Sequence, residues 1–221
     1  MTAAPGVLLL VCTALLPQSP AAETPEALAA RVQARYDAVR DFEGDFVQTY
    51  EGGVLRTRTT ERGTVAIKRP GRMRWVYTRP ERKEFVSDGV RIYAYLPADR
   101  QVIVSPVPSG SAATTPALFL AGVGHLVRDF TAAFTDVPGA APGLVGLRLV
   151  PRRADPEFEW LVIGVDPVSL QIRALVAADH QGGRSTFTFT NLKENQGLSD
   201  KTFEFRIPRG VDVITNGTPS R

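Results

Sequence analysis

The chain has 221 residues, 26 Lys and Arg against 23 Asp and Glu, a net charge of +3, and one cysteine. So small a charge excess argues against a protein that coats nucleic acid, although local basic patches stay possible. The length fits one domain with a substantial core. The single cysteine, Cys12, lies in the apolar start of the chain, so residues 23–221 contain none and we expect no disulfides there.

Residues 1–22 have the features of a secretory signal peptide. They carry no charged side chain and contain an apolar run that is shorter than the roughly 20 residues a membrane span needs. Small residues follow this run, and we expect cleavage after Ala21 or Ala22. The sequence therefore predicts an exported domain over residues 23–221.

A helix is predicted directly after this leader. Thr24 is suited to cap its N-terminus, and Pro25 to its first turn. Apolar residues then recur at helical spacing, at Leu28, Val32, Tyr36 and Val39. We expect the helix to end near Arg40.

From Phe42 onward the apolar period changes from about 3.6 to 2, and turn residues separate short runs rich in β-branched and aromatic side chains. The middle differs, because "ALFLAGVGHLVRDFTAAF" after Thr115 and Pro116 predicts a second helix. Further strands follow, ending with "TFEFRIP". The expected fold is α+β, with one curved antiparallel sheet of about ten or eleven strands covered by both helices.

The chain contains no recognisable set of catalytic or metal-binding residues. Its two histidines, His125 and His180, are not in a metal-ligand spacing. No G-x-S-x-G nucleophile motif and no glycine-rich phosphate loop is present. We therefore expect a protein that is not an enzyme and that uses neither a cofactor nor a metal.

The basic stretch "IKRPGRMRWVYTRP" at residues 67–80 has the alternation of a strand. Arg72 and Arg74 fall on one face, and Met73, Trp75 and Tyr77 on the other. Binding of single-stranded nucleic acid requires basic and aromatic side chains on the same face, for phosphate contact and stacking together. The pattern instead predicts a half-buried strand with a solvated charged face.

Several segments, in this order, resemble the LolA-type outer-membrane lipoprotein carrier proteins. They are "FEGDFVQTY", "GTVAIKRPGRMRWVY", "EFVSDGVRIYAYLPADRQV" and "NLKENQGLSDKTFEFRIPRGVDVI". The resemblance covers nearly all of the chain after the leader. It implies an incomplete, half-open β-barrel covered by a helical lid and enclosing an apolar cavity.

The same resemblance implies a periplasmic carrier that acts as a monomer. Such proteins take acylated lipoproteins from an inner-membrane ABC transporter of the LolCDE type. They shield the acyl chains and deliver them to an outer-membrane acceptor resembling LolB. Two alternatives stay open on the same fold: a carrier of another lipid such as a glycolipid, and a sensor of mislocalised envelope lipoproteins.

The resemblance also assigns residue roles. Arg69, in the Arg-Pro motif, matches an arginine that hydrogen-bonds to the lid and holds the empty form closed. The residues expected to line the acyl-chain cavity are Tyr36, Met73, Trp75, Tyr77, Leu118, Phe119 and Leu120. Plain core packing is the alternative for each cavity position.

Overall fold

The computed structural model describes residues 23–52, 57–107, 120–122, 124–139, 141–155 and 158–216. The expected signal peptide and the cavity candidates Leu118 and Phe119 lie outside these residues. The helices whose bounds lie within these residues are α1 (Pro25–Ala38), α2 (Leu126–Asp129) and a 3₁₀ helix (Asp200–Phe203). The strands are β1 (Asp41–Glu51), β2 (Arg58–Lys68), β3 (Arg72–Arg79), β4 (Lys83–Asp88), β5 (Arg91–Leu96), β6 (Gln101–Pro106), β7 (Phe130–Thr135), β8 (Val145–Pro151), β9 (Trp160–Val165), β10 (Ile172–Ala178), β11 (Arg184–Glu194) and β12 (Asp212–Thr215).

Helix α1 begins where the sequence predicts. The Thr24 hydroxyl accepts a hydrogen bond from the backbone N–H of Ala27 at 3.2 Å, and Pro25 occupies the first turn. This bond pairs one of the N–H groups that a helix start leaves without an intrahelical partner, and Pro25 has no N–H to pair. The predicted apolar stripe is buried, including Leu28 and Val32. The helix ends at Ala38, two residues before the expected Arg40.

The twelve strands of the described residues form one open sheet in the order β12-β6-β5-β4-β3-β2-β1-β11-β10-β9-β8-β7. Neighbours are antiparallel, except that β12 runs parallel to β6. The predicted open antiparallel sheet is confirmed, with twelve strands where ten or eleven were expected. The two halves of the chain meet where β1 pairs with both β2 and β11.

The mid-chain helix predicted over residues 117–134 is wrong in its C-terminal half. Gly122 and Gly124 adopt φ values of +82° and +112°, which a right-handed helix does not contain. After them α2 spans only four residues, and β7 begins at Phe130. Pairing of β7 with β8 overrides the local helical pattern, as long-range strand contacts commonly do.

The predicted strand "TFEFRIP" is also wrong. Residues 195–211 instead form an irregular segment containing the 3₁₀ helix, which we call the C-terminal strap. The carboxylate of Asp41 accepts hydrogen bonds from the backbone N–H groups of Gln196, Gly197 and Leu198 at 2.7, 3.1 and 3.3 Å. These bonds fix the start of the strap to β1, and the chain then reaches β12.

The strap corrects the expectation of a solvated charged face on β3. Arg74 Nη1 donates to the Thr202 carbonyl at 2.8 Å, and its Nη2 lies 2.6 Å from the buried Glu84 carboxylate. Arg72 lies 3.1 Å from Asp200. These arginines therefore bind the chain's own C-terminal strap.

The inner face of the sheet carries the core. Buried side chains of β1, β2, β3 and β8–β11 form one cluster with α1 and with Leu120 and Ala121. Burying each large apolar side chain contributes about 1.5–3 kcal/mol. The strand alternation predicted for β3 is confirmed, since Met73, Trp75 and Tyr77 are all buried on this face.

Candidate functional site

The sequence-predicted cavity candidates that the structure describes come together in the interior. Their exposures are small: Tyr36 6%, Met73 4%, Trp75 4%, Tyr77 7% and Leu120 2%. They come from three parts of the chain, namely α1, β3 and the segment before α2. Only the packing of the helices against the sheet brings them into one cluster.

Aromatic rings pack around Trp75 in this interior. The Phe46 ring centroid lies 5.0 Å from that of Trp75 and 4.9 Å from that of Tyr77, both edge-to-face. Phe187 lies 5.5 Å from Trp75, also edge-to-face, and Phe189 lies 6.1 Å from it. Phe46, Phe187 and Phe189 were not among the predicted site residues. The period-2 alternation of β1 and β11 was the signal that could have found them.

The two interior tyrosine hydroxyls are hydrogen-bonded. The Tyr36 hydroxyl accepts from the Ile172 backbone N–H at 3.0 Å, and the Tyr77 hydroxyl donates to Gln48 Oε1 at 2.7 Å. Burial raises the pKa of Tyr36 to about 12 and also raises the pKa of Tyr77. Both phenols therefore stay neutral at physiological pH, as an apolar interior requires.

Arg69 lies in the turn between β2 and β3 and contacts the C-terminal end of α1. Its Nη1 donates to the Tyr36 carbonyl, and its guanidinium carbon lies 5.9 Å from the centroid of the Tyr36 ring. Its backbone N–H donates to the Arg40 carbonyl at 2.8 Å. Burial lowers the pKa of Arg69, against the opposing effect of the nearby Asp37 carboxylate. The turn is thus tied to the helix by side chain and backbone together.

The same turn contacts the segment that precedes α2. The backbone N–H of Gly71 donates to the Ala121 carbonyl at 3.0 Å. The guanidinium of Arg69 packs against Gly122, where a β-carbon would lie 2.4 Å from Nε. Among the described residues, the Arg69 side chain therefore hydrogen-bonds to α1 and reaches the segment 120–122 by packing.

Gln33 makes a second connection between α1 and the region of α2, and it was not among the predicted site residues. It is 7% exposed; its Oε1 accepts from the Leu126 backbone N–H at 2.8 Å, and its Nε2 donates to Asp37 at 2.7 Å. It therefore links α1 to the first residue of α2. In the sequence Gln33 directly follows Val32 and comes three residues before Tyr36. This position next to the apolar stripe was the only indication that its side chain is buried.

The described residues contain no group of three or more His, Cys, Asp or Glu side chains placed to hold a metal ion. Within the same part of the chain, no helix has the length and hydropathy needed to cross a membrane.

A sequence model of the family described as "Outer membrane lipoprotein carrier protein LolA" matches residues 37–206. An outer-membrane lipoprotein carrier protein from Hahella chejuensis is 34% identical, covering 80% of this chain and 82% of its own length. One from Methylococcus capsulatus is 30% identical over 94% of this chain and 95% of its own.

Among solved structures, an uncharacterized conserved protein from Thermus thermophilus shares the fold. Its TM-score is 0.51 at 13% identity, with 85% of this chain and 99% of that chain covered. The family match spans most of the described sheet and includes the Arg69 turn, β3 and the strap up to residue 206. The resemblance noted from the sequence is confirmed: this chain belongs to the LolA family of outer membrane lipoprotein carrier proteins.

Proposed function

We propose that this protein carries acylated lipoproteins from the inner to the outer membrane and shields their acyl chains on the way. The observation that carries the proposal is the family match over residues 37–206, which includes the aromatic interior. A carrier of this kind needs an apolar surface and no covalent chemistry. The described interior supplies such a surface.

The physical need for a carrier follows from the acyl chains. Each buried CH₂ group contributes about 0.8 kcal/mol, so two or three long chains hold a lipoprotein in its bilayer by tens of kcal/mol. Spontaneous passage through water is therefore negligible. The carrier offers replacement burial among Trp75, Tyr77 and the phenylalanine rings around them. The cargo enters by separating side chains that pack against one another in this structure.

Arg69 is proposed as the latch of the closed form. Its contacts with the Tyr36 carbonyl and with Gly122 support this role, because they join α1 to the segment 120–122. Separating these two parts breaks at least one of the two contacts. The proposed cavity lining is the set Tyr36, Met73, Trp75, Tyr77, Leu118, Phe119 and Leu120.

The proposed partners are acylated lipoproteins, an inner-membrane LolCDE-type ABC transporter and an outer-membrane LolB-like acceptor. The names of the relatives, as outer-membrane lipoprotein carriers, support the periplasm as the working compartment. In this proposal residues 1–22 are the cleaved export signal, and residues 23–221 act as a monomeric carrier domain.

A spheroplast release assay tests the carrier function. Purified protein incubated with spheroplasts is expected to release newly made lipoproteins into the soluble fraction. Release no greater than that into buffer alone would refute the proposal. Mass spectrometry of the copurifying lipid separates the alternatives: acylated cysteine peptides support the lipoprotein carrier, whereas free glycolipid supports a carrier of another lipid.

A further inference from the structure

The indole N–H of Trp75 is an unpaired hydrogen-bond donor inside the apolar interior. Trp75 is 4% exposed, and its Nε1 has no hydrogen-bond partner among the described residues. The rings of described residues that pack against it, Phe46, Phe187 and Phe189, carry no acceptor atom. Leaving a donor buried and unpaired costs stability, so a specific case calls for an explanation.

The two tyrosine hydroxyls of the same interior, unlike the indole N–H, are hydrogen-bonded. The hydroxyls of Tyr36 and Tyr77 both have partners, Ile172 and Gln48. Two other buried side-chain atoms in the described residues lack a hydrogen-bond partner, and both lie elsewhere. One is Nε of Arg69, at the proposed latch, and the other belongs to Glu84, whose carboxylate is paired with Arg74 at 2.6 Å.

A ligand held by acyl chains brings the complementary atom into this interior. Each chain is joined through an ester or amide, whose carbonyl loses its hydrogen bonds to water on entry. A hydrogen bond between that carbonyl and the indole N–H satisfies both groups at once. A phenylalanine at position 75 would pack against the same rings without offering a donor.

We propose that Trp75 Nε1 donates a hydrogen bond to an acyl-linkage carbonyl of the bound lipid and thereby selects acyl-linked over ether-linked lipids. This inference rests on the proposed carrier function and adds a specificity-determining contact to it. The indole N–H is already buried in the interior before the lipid binds, and the bound lipid supplies its acceptor.

The test compares two lipids of equal chain length, a diacylglycerol with ester linkages and a dialkylglycerol with ether linkages, presented from the same detergent. The wild-type protein is expected to bind the ester lipid about tenfold more tightly, which is the size expected of one buried hydrogen bond. In Trp75→Phe the preference is expected to fall to about one. The matched control is Trp160→Phe, whose ring lies in β9 beneath the Arg148 guanidinium at 4.4 Å.

A second readout observes the donor directly. The chain has two tryptophans, so Trp75 is the sole tryptophan of the Trp160→Phe protein. Its indole N–H proton resonance is expected to move downfield when the ester lipid binds and to stay largely unmoved with the ether lipid. This readout does not depend on the folding of Trp75→Phe.

The outcomes separate the two proposals. Equal binding of both lipids by the wild-type protein overturns the Trp75 inference and leaves the carrier function intact, as does an unmoved resonance with bound ester lipid. An ester preference that persists in Trp75→Phe also overturns it. Failure of both lipids to bind the wild-type protein contradicts the carrier function itself, and this inference with it.

Discussion

The guanidinium of Arg69 lies directly against the backbone of Gly122. A β-carbon at position 122 would stand 2.4 Å from Nε, 2.9 Å from Cζ and 3.1 Å from Nη2 of Arg69. The same guanidinium donates to the Tyr36 carbonyl at the end of α1. The absence of a side chain at 122 is thus what allows one arginine to contact both the helix and the segment that precedes α2.

Gly122→Ala is expected to displace Arg69 and loosen the closed form. The new methyl group collides with the guanidinium, and φ of +82° is itself unfavourable for alanine. We expect increased binding of a hydrophobic fluorescent dye to the purified protein. Gly143→Ala is the matched control, because Gly143 has φ of +93° and no atom of the described residues lies within 4 Å of its added β-carbon. Equal dye binding by the two variants would show that backbone strain alone is responsible.

Arg69→Leu is expected to leave the carrier poor at handing on its cargo. The substitution removes the charge-assisted hydrogen bond to the Tyr36 carbonyl, an interaction of about 1.5–3 kcal/mol, so closing no longer helps to expel the ligand. We expect transfer from loaded carrier to an outer-membrane acceptor to fall about tenfold. Arg79→Leu is the control, since Arg79 also precedes a proline but is exposed. Unchanged transfer by Arg69→Leu would refute the latch.

Gln33→Leu is expected to weaken the tie between α1 and α2. The backbone N–H of Leu126 loses its acceptor in a buried place, which costs about 1–3 kcal/mol. Urea unfolding measures this loss, and hydrogen exchange at the Leu126 amide locates it. Gln181→Leu, at an exposed turn, should leave both measurements unchanged. If the Leu126 amide exchanged as slowly in Gln33→Leu as in the wild type, the proposed role of the Gln33 hydrogen bond would be contradicted.

Asp41→Asn is expected to release the start of the C-terminal strap. The buried carboxylate accepts three backbone N–H groups, whereas an amide offers a single acceptor oxygen and adds donors that face those N–H groups. We expect a loss of about 1–3 kcal/mol in the free energy of unfolding and faster proteolysis within residues 195–211. Asp99→Asn, in an exposed turn, is the control. Identical cleavage rates in both variants would argue against the tether.

The attachment of the strap is also expected to depend on pH through Asp200. A hydrogen bond from Lys68 is the largest cause holding the pKa of Asp200 below its ordinary value of 3.8, and Arg72 adds to it. Because the pKa is depressed in the folded state, its stabilisation is present above pH 3.8 and is lost as pH falls through the folded-state pKa. Urea midpoints of wild type and Asp200→Asn should therefore differ near pH 6 and converge at low pH. A difference independent of pH would exclude the carboxylate charge as the cause.

Local alternation was enough to predict the inner face of β3. Met73, Trp75 and Tyr77 fall on one side of any extended backbone, because successive side chains of a strand point to opposite faces. The same reasoning could not show which part of the chain covers the other face of β3. It left Arg72 and Arg74 to solvent, whereas a segment about 130 residues later in the chain covers them.

The mid-chain helix shows where local pattern failed. Residues 130–134 belong to a stretch whose local sequence predicts a helix. They nevertheless lie in β7, because β8 supplies hydrogen bonds along the whole strand. Gln33 and Gly122 were missed for a related reason. Each acts through a partner distant in sequence, Leu126 for Gln33 and Arg69 for Gly122, and a single sequence does not show which distant groups meet.

By itself the sequence determined the capped helix α1, the alternating strands and the ordered motifs that identify the family, because these depend on neighbours within a few residues. The tertiary structure alone decided that Arg69 contacts Tyr36 and Gly122 and that the strap binds the arginines of β3. It also decided that the Trp75 N–H is buried with no partner in the part of the chain that the structure describes. These relations depend on which surfaces meet when α1, the segment before α2 and the strap pack against the sheet. Hydrophobic burial drives that packing but is not directional, so the identity of each polar contact is settled only by the final arrangement.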